Sequence, residues 1–403
     1  MRSLLIACLT LQSLASPGSL AAQENNQRPA AQVSPAGHES GSEVASWELW
    51  QGYKRGFLVE SGRIVDHDDG ARTTSEAQAY GLFFALVAND RAGFDRILQW
   101  TQTNLAAGDL TANLPAWLWG CDADGKWHVL DKNPASDADL WMAYTLIQAG
   151  RLWQEPGFIK LGGAIAGQVA EQSVLRLPGA GTVLLPAPAG FRTKDSVELN
   201  PSYLPLPVLY GLAAALPDGP WRELAGNTPS IVRHASPHGF VLDWMRYSAE
   251  KGWEPGRGPA TEPRASFDAI RVYLWAGMTD PHTPGRKELL AALQGMRRYM
   301  KDSFYPPMIV SAEGKVTADR AGVGYSAALL PLLKTLGENR SLTLQLNRLE
   351  IARKPQSGLY GDPPRYYDQN LALFGTGWLE ERFWFTSEGA LEVRWRSRSS
   401  VEK

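Results

Sequence analysis

PASDADLWMAYTLIQAG, residues 134–150, opens on a proline and runs into apolar residues spaced three and four apart. That spacing predicts an amphipathic or buried helix. Asp137 and Asp139 fall in its first turn, where negative charge meets the positive end of the helix macrodipole, and Ser136 is placed to cap it. Two acids at the mouth of an apolar helix can also do proton chemistry. The stretch alone leaves both uses open.

The same pattern recurs along the chain. Three- and four-residue spacing predicts helices over 43–59, 75–89, 91–106, 137–151, 156–173, 201–216, 220–235, 265–278, 284–299, 321–336, 337–350 and 367–376. Twelve helices make six consecutive pairs, which predicts an all-α (α/α)6 barrel, an inner ring inside an outer one. In such a barrel alternate helices run parallel. The even-numbered helices open with TTSEAQAYG, ASDADLW, LNPSYLP, ASFDAIR, GVGYS and YYDQN. All six polar or aromatic starts would then face one end and form a cleft there. The tail breaks the pattern: RFWFTSEGALEVRW, 382–395, alternates around Glu388-Gly389 and predicts a small β-hairpin.

The N-terminus has a different character. Residues 1–22 have a positive start at Arg2, a short apolar run and small residues at Ala21 and Ala22, the features of an export signal. The run is too short to span a bilayer. Residues 23–41, QENNQRPAAQVSPAGHESG, read as a flexible leader, and 42–397 as a single catalytic domain. The expected destination is the periplasm or the medium. Removing the signal takes away Cys8 and leaves Cys121 as the one cysteine, so no internal disulfide is expected.

Composition narrows the function. The net charge is −2, with both signs interspersed and no basic stripe, which argues against a nucleic-acid partner. The 15 tryptophans, with 13 tyrosines and 12 phenylalanines, serve either core packing or a groove that stacks flat sugar rings. The acidic runs VDHDDG, 65–70, and CDADG, 121–125, lack calcium-loop spacing and read as turns. No HExxH pattern, phosphate-cradling loop or dinucleotide fingerprint occurs, so no metal or cofactor is implied.

Taken singly, each acid has a structural explanation. Thr73-Thr74-Ser75-Glu76 fits a capping box, with Thr73 as N-cap and Glu76 reaching back. Ser266 precedes Asp268 much as Ser136 precedes Asp137. Together the acids fit glycoside hydrolysis, which needs one protonated and one ionised carboxyl. Arg271, three residues after Asp268 on the same helical face, supplies a cation beside it, or else makes an ordinary surface ion pair. Tyr203 either orients a water or sugar hydroxyl or simply packs.

ASDADLWMAYTLIQAGRLW, 135–153, resembles the signature of glycoside hydrolase family 8, with Thr145 a mild departure. TTSEAQAYGLFFALVAND, LPAWLWG, LNPSYLPLP, SFDAIRVYLWAGM and YYDQNLALFGTGW are similar to further blocks of that family. The likeness runs from about Trp47 to Trp378 and is strongest to the periplasmic endoglucanases encoded with bacterial cellulose synthases. It implies an (α/α)6 barrel and endo-acting, inverting hydrolysis of β-1,4-glucan. It also implies a link to cellulose biosynthesis, with the synthase machinery as a partner; the sequence shows no oligomer signal, and a monomer is expected. Position by position it makes Glu76 the general acid, Asp268 the base and Tyr203 a holder of the attacking water. Asp137 matches the signature aspartate, which in an inverting mechanism grips and distorts the sugar instead of attacking it. Arg271, Tyr80, Trp117, Trp119 and Trp141 fall in or near these blocks as candidate substrate contacts, and so does Trp275. The alternatives are a chitosanase, xylanase or mixed-linkage glucanase of the same fold, a polysaccharide lyase on the same barrel, and a non-catalytic glucan-binding component of cellulose export.

Overall fold

A computed structural model describes residues 46–397. The expected export signal and leader lie outside the described residues. The helices are α1 Glu48–Phe57, α2 Ser75–Val87, α3 Arg91–Leu105, α4 Ser136–Trp153, α5 Pro156–Ser173, α6 Leu206–Ala215, α7 Trp221–His234, α8 Ala269–Met278, α9 Arg286–Ala292, α10 Gln294–Asp302, α11 Val323–Thr335, α12 Asn339–Ala352, α13 Tyr366–Leu379 and the short α14 Arg394–Ser397.

Sidedness separates two rings. α2, α4, α6, α8, α11 and α13 are apolar around most of their circumference and bury nearly every residue. A helix without a polar face must sit inside. α1, α3, α7 and α12 bury one side only. Each inner helix packs on the next, from α2 to α4, α6, α8, α11 and α13. Phe374 of α13 closes the ring by meeting Phe84 of α2 at 4.7 Å between centroids. Gly375 permits the close approach of α13 to α11, since a Cβ there would collide with the Ala327 carbonyl. This is the (α/α)6 barrel that the helix count predicts.

Two predicted helices differ: 201–216 begins as the 3-10 turn Pro201–Tyr203 and becomes α-helical only at Leu206, and 284–299 is split. The stretch 284–299 breaks at Leu293 into α9 and α10. At the break the Gly295 N–H leaves the helix ladder and donates to Gly239 O at 2.9 Å, so a tertiary contact interrupts a helix-forming sequence.

The C-terminal hairpin forms as predicted, with Phe383–Phe385 paired antiparallel to Leu391–Val393. Gly389 holds the turn at φ 78°. The hairpin plugs the barrel at the C-terminal ends of the inner helices. Phe383 packs edge-on to Phe83, Tyr144 Oη donates to Gly389 O at 2.7 Å, and Leu391 N–H donates to Gln148 Oε1 at 3.1 Å.

Several very short strands have no counterpart in the sequence pattern. Thr73–Thr74 pairs with Leu118–Cys121, Ser196–Leu199 with Met245–Ser248, and Arg264–Ala265 with Ile309–Ser311. They immediately precede α2, the 3-10 turn Pro201–Tyr203 and the start of α8. Runs of two to four residues are too short to display a two-residue period. They clamp the chain just before it enters the inner ring, and so fix what the helix starts present.

Candidate active site

The starts of α2, α4 and α8 and the 3-10 turn before α6 converge on one buried cation. Arg271, 4 % exposed, reaches Glu76 Oε2 with Nη1 at 3.2 Å. Its Nη2 lies 3.0 Å from Asp268 Oδ1 and 3.6 Å from Asp137 Oδ2. Nη2 also donates to Ser202 Oγ at 2.9 Å. Arg271 is therefore not half of a surface ion pair; one guanidinium gathers three carboxyls from three inner helices.

Local structure leaves these acids free to converge. The expected capping box does not form. Thr74, not Thr73, is the N-cap, and its Oγ1 accepts from Ala77 N–H at 3.1 Å. Thr73 instead donates to Ile64 O at 2.7 Å. Glu76 thus has no capping duty and points to Arg271. Ser136 does not cap α4 either: its hydroxyl donates to Leu185 O at 2.7 Å. Asp137 accepts from Ala138 N–H at 2.8 Å, so it is both a helix-start residue and a member of the cluster. Ser266 turns its hydroxyl to Asp243.

Electrostatics follow from burial. Glu76 is held above the usual carboxyl range, first by desolvation and next by the nearby Asp268, against the opposing pull of Arg271. Desolvation and Glu76 push Asp137 up to about 7. Glu76 and Asp137 are also in side-chain contact, so this pair retains a proton near neutral pH. Burial raises the Tyr203 phenol well above its ordinary value and keeps it a hydrogen-bond donor. Asp139, on the same helix, is fully buried, and neither of its oxygens has a hydrogen-bond partner. Desolvation keeps it protonated inside the barrel, away from the cluster's ion pairs.

The cluster floors a cleft of about 220 Å³ lined by Glu76, Asp137, Tyr203, Asp268, Arg271 and Trp117, among others. Phe191 and Trp244 form part of its wall as a parallel stack, 5.6 Å between centroids and 6° between planes. At Phe191 the cleft meets an open groove of about 980 Å³ whose sides carry charges of both signs, including Glu198, Arg246 and Glu254. The arrangement offers a protonated and an ionisable carboxyl, a phenol donor and aromatic faces along an open channel.

Not every expected contact residue lies there. Trp141 and Trp275, 1 % and 3 % exposed, pack with Tyr80, Phe83 and Phe374 in the aromatic centre of the inner ring. Their helical spacing makes them core, and they present no stacking face to a ligand. Tyr80 is buried with them, 2 % exposed, within electrostatic range of Glu76 and Arg271. Trp119 sits on the neighbouring hairpin, stacked on Trp127 and covered by the Arg63 guanidinium, outside the residues that line the cleft. Tyr367, from the YYDQN start, was not singled out in the sequence; it hydrogen-bonds with Arg271 and donates to Phe267 O at 2.6 Å. Arg72, Phe191, Trp244 and Asp243 were also missed. They come from loops, which carry no periodic signal.

Both acidic runs are turns, as expected. Asp122 Oδ1 accepts from Asp124 and Lys126 N–H at 2.9 Å each, and Asp66 bridges to Arg72.

Residues 37–381 match the profile of Glycosyl hydrolases family 8. The chain is 43% identical over 358 residues to an endoglucanase of Xanthomonas axonopodis pv. citri (strain 306), covering 88% of this chain and 91% of that one. To an endoglucanase of Escherichia coli (strain K12) it is 39% identical over 353 residues, 87% and 92% of the two chains. The crystal structure of endo-1,4-D-glucanase from Vibrio fischeri ES114 superposes with a TM-score of 0.77 at 36% identity, covering 87% of this chain and 99% of that one. With a family match over most of the chain and the expected barrel beneath it, this protein belongs to glycosyl hydrolase family 8 and is a glycoside hydrolase.

Proposed function

We propose that the protein is an endoglucanase that cuts internal β-1,4-glucosidic bonds of cellulose or a related β-glucan by single displacement at the anomeric carbon. The observation that carries this reading is the placement of Glu76 and Asp268 on different nitrogens of one buried guanidinium. Arg271 brings the two carboxyls to one site, and the family resemblance supplies the inverting assignment, in which one acts as acid and the other as base toward a water. The endoglucanase relatives support the substrate class.

In the reaction, Glu76 gives its proton to the glycosidic oxygen as the C1–O bond breaks. Water attacks C1 from the opposite face, and Asp268 takes the proton that water sheds. Glu76 ends ionised and Asp268 protonated, and exchange with solvent restores both. Burial of Glu76 suits the acid role, because it keeps the proton on at pH values where an ordinary carboxyl has lost it. Arg271 supplies the counter-charge to the ionised Asp268. Asp137 grips the sugar at the cleavage point through hydrogen bonds that strengthen in the transition state. The Tyr203 phenol holds the water, and Trp117 offers a face to a glucose ring.

We also propose that residues 42–397 act as one catalytic domain in a monomer. The protein works in the periplasm or the medium and is linked to the cellulose synthase machinery. The signal-like residues 1–22 support export. No helix among the described residues is long and apolar enough to cross a membrane.

The test is reducing-end release beside viscosity loss on carboxymethyl cellulose, for the native protein and Glu76→Gln. Steep early viscosity loss in the first and almost none in the second is the expected result. Equal activity in both removes Glu76 as the acid. Inactivity of both on this polymer, with turnover of xylan or chitosan by the native protein, moves the substrate elsewhere in the fold.

A further inference from the structure

Asp243 is a buried carboxyl with no place in the chemistry above. It lies in the loop between α7 and the strand Met245–Ser248, 6 % exposed. Its oxygens accept three hydrogen bonds. Oδ1 takes the backbone N–H groups of Ser266 and Ala269 at 2.7 and 2.8 Å, and Oδ2 takes the Ser266 hydroxyl at 2.5 Å. These donors bracket Phe267 and Asp268.

The helix start explains why that matters. Asp268 stands at the N-cap of α8 yet makes no side-chain cap. A capping acid normally turns its carboxyl onto the N–H of the second or third helical residue. In α8 those groups, on Ile270 and Arg271, are taken by Ser266 O at 3.3 Å and Asp268 O at 3.1 Å, and Asp243 takes the Ala269 N–H, so the Asp268 carboxyl is left for Arg271 and the cleft. Asp243 is itself anchored. Its N–H donates to Arg264 O at 2.8 Å, and Arg264–Ala265 is paired with Ile309–Ser311. On the other side, Tyr367 fastens the Phe267 carbonyl. The next residue, Trp244, forms the cleft wall with Phe191, so one segment sets both the wall and the start of α8.

We propose that Asp243 is the positioning residue of the general base: by holding the Ser266 and Ala269 N–H groups on either side of it, Asp243 fixes the backbone from which Asp268 reaches the attacking water. The inference rests on the reading of Asp268 as that base. Misplacing a reacting group by about 1 Å can cost on the order of 100-fold in rate. A lost cap alone would lower stability and leave chemistry untouched.

Azide distinguishes these roles. As an anion it attacks C1 without a base. The C1–N bond forms while the C1–O bond breaks, Glu76 still protonates the leaving oxygen, and a glycosyl azide replaces the hydrolysis product. The experiment measures kcat, KM, azide rescue and melting temperature for Asp243→Ala, Asp243→Asn and Asp268→Ala on carboxymethyl cellulose. Asp268→Ala is expected to lose turnover and regain part of it with azide. Asp243→Ala removes both acceptor oxygens and is expected to lose kcat about 10- to 100-fold at unchanged KM, with azide restoring product. Asp243→Asn keeps Oδ1 for the Ser266 and Ala269 N–H groups, and its amide can donate to the Ser266 hydroxyl oxygen, so it should keep most of kcat. Full activity in Asp243→Ala, or a loss that azide does not touch, overturns the inference. If Asp243→Ala fails to fold, Asp243→Ser, too short to reach both N–H groups, takes its place, and an unaltered kcat there overturns it. Full activity in Asp268→Ala instead removes the base reading on which it stands.

Discussion

The two ends of the inner ring are made by the same six helices to opposite specifications. At the N-terminal end, three carboxyls and a phenol surround a guanidinium that is almost wholly out of water. At the C-terminal end, Phe383 and Phe385 of the hairpin seat on Phe83 and Tyr144 with no charge among them. One end spends stability to keep buried acids poised, and the other supplies it by apolar burial. Helix polarity decides which is which: free N–H groups and the positive dipole end tolerate carboxyls, so the acids collect where the inner helices begin. Activity and stability should therefore be separable by substitution.

The largest expected effect is at Glu76. Glu76→Gln should lower turnover by about 10²- to 10⁴-fold, the usual share of general acid catalysis, without lowering the melting temperature. A parallel collapse of both would blur the contrast between the ends. Arg271→Met should damage both properties, because it strands three carboxyls. A loss of about 3–5 kcal/mol is expected in denaturant titration, smaller at pH 5 than at pH 8, since protonated acids need no counter-charge. At the far end, Phe383→Ala should cost about 3 kcal/mol with kcat nearly unchanged well below the melting temperature.

The subtlest test uses pH. Asp137 and Asp243 both have folded-state values near 7, above the roughly 4 of an unfolded aspartate. The folded state then binds the extra protons, so their stabilising contribution is full below about pH 4 and is lost as pH rises through 7. Melting temperature should fall between pH 5 and pH 8, at most roughly 1.4 kcal/mol per pH unit for each group. Asp137→Asn should flatten that slope. A slope equally steep in the variant would mean that Asp137 is ionised throughout.

Much of this was legible in the sequence, and the losses have physical reasons. The helix count announced the barrel, and polar starts on otherwise apolar helices announced the end that carries the site. Glu76, Asp137, Asp268 and Arg271 could be picked out because they stand at or just inside those starts and match blocks of the family. The cap at Thr74 was misplaced by one residue because a two-residue strand runs up to Ser75. Trp141 and Trp275 followed the apolar period of their own helices, and that should have marked them as core. Asp243, in the loop sequence VLDWMR, breaks no pattern, and its meaning appears only when Ser266 and Ala269 fold against it.

The proposed chemistry turns on Glu76 and Asp268 acting on opposite faces of one bond in a single displacement. Proton NMR of the anomeric signals of a cello-oligosaccharide, followed through the first minutes of hydrolysis and before mutarotation, reads this out without a variant. Single displacement predicts that the new reducing ends appear first as the α-anomer. If the β-anomer appears first, configuration is retained, a covalent intermediate is formed, and the roles assigned to Glu76, Asp137 and Asp268 are wrong.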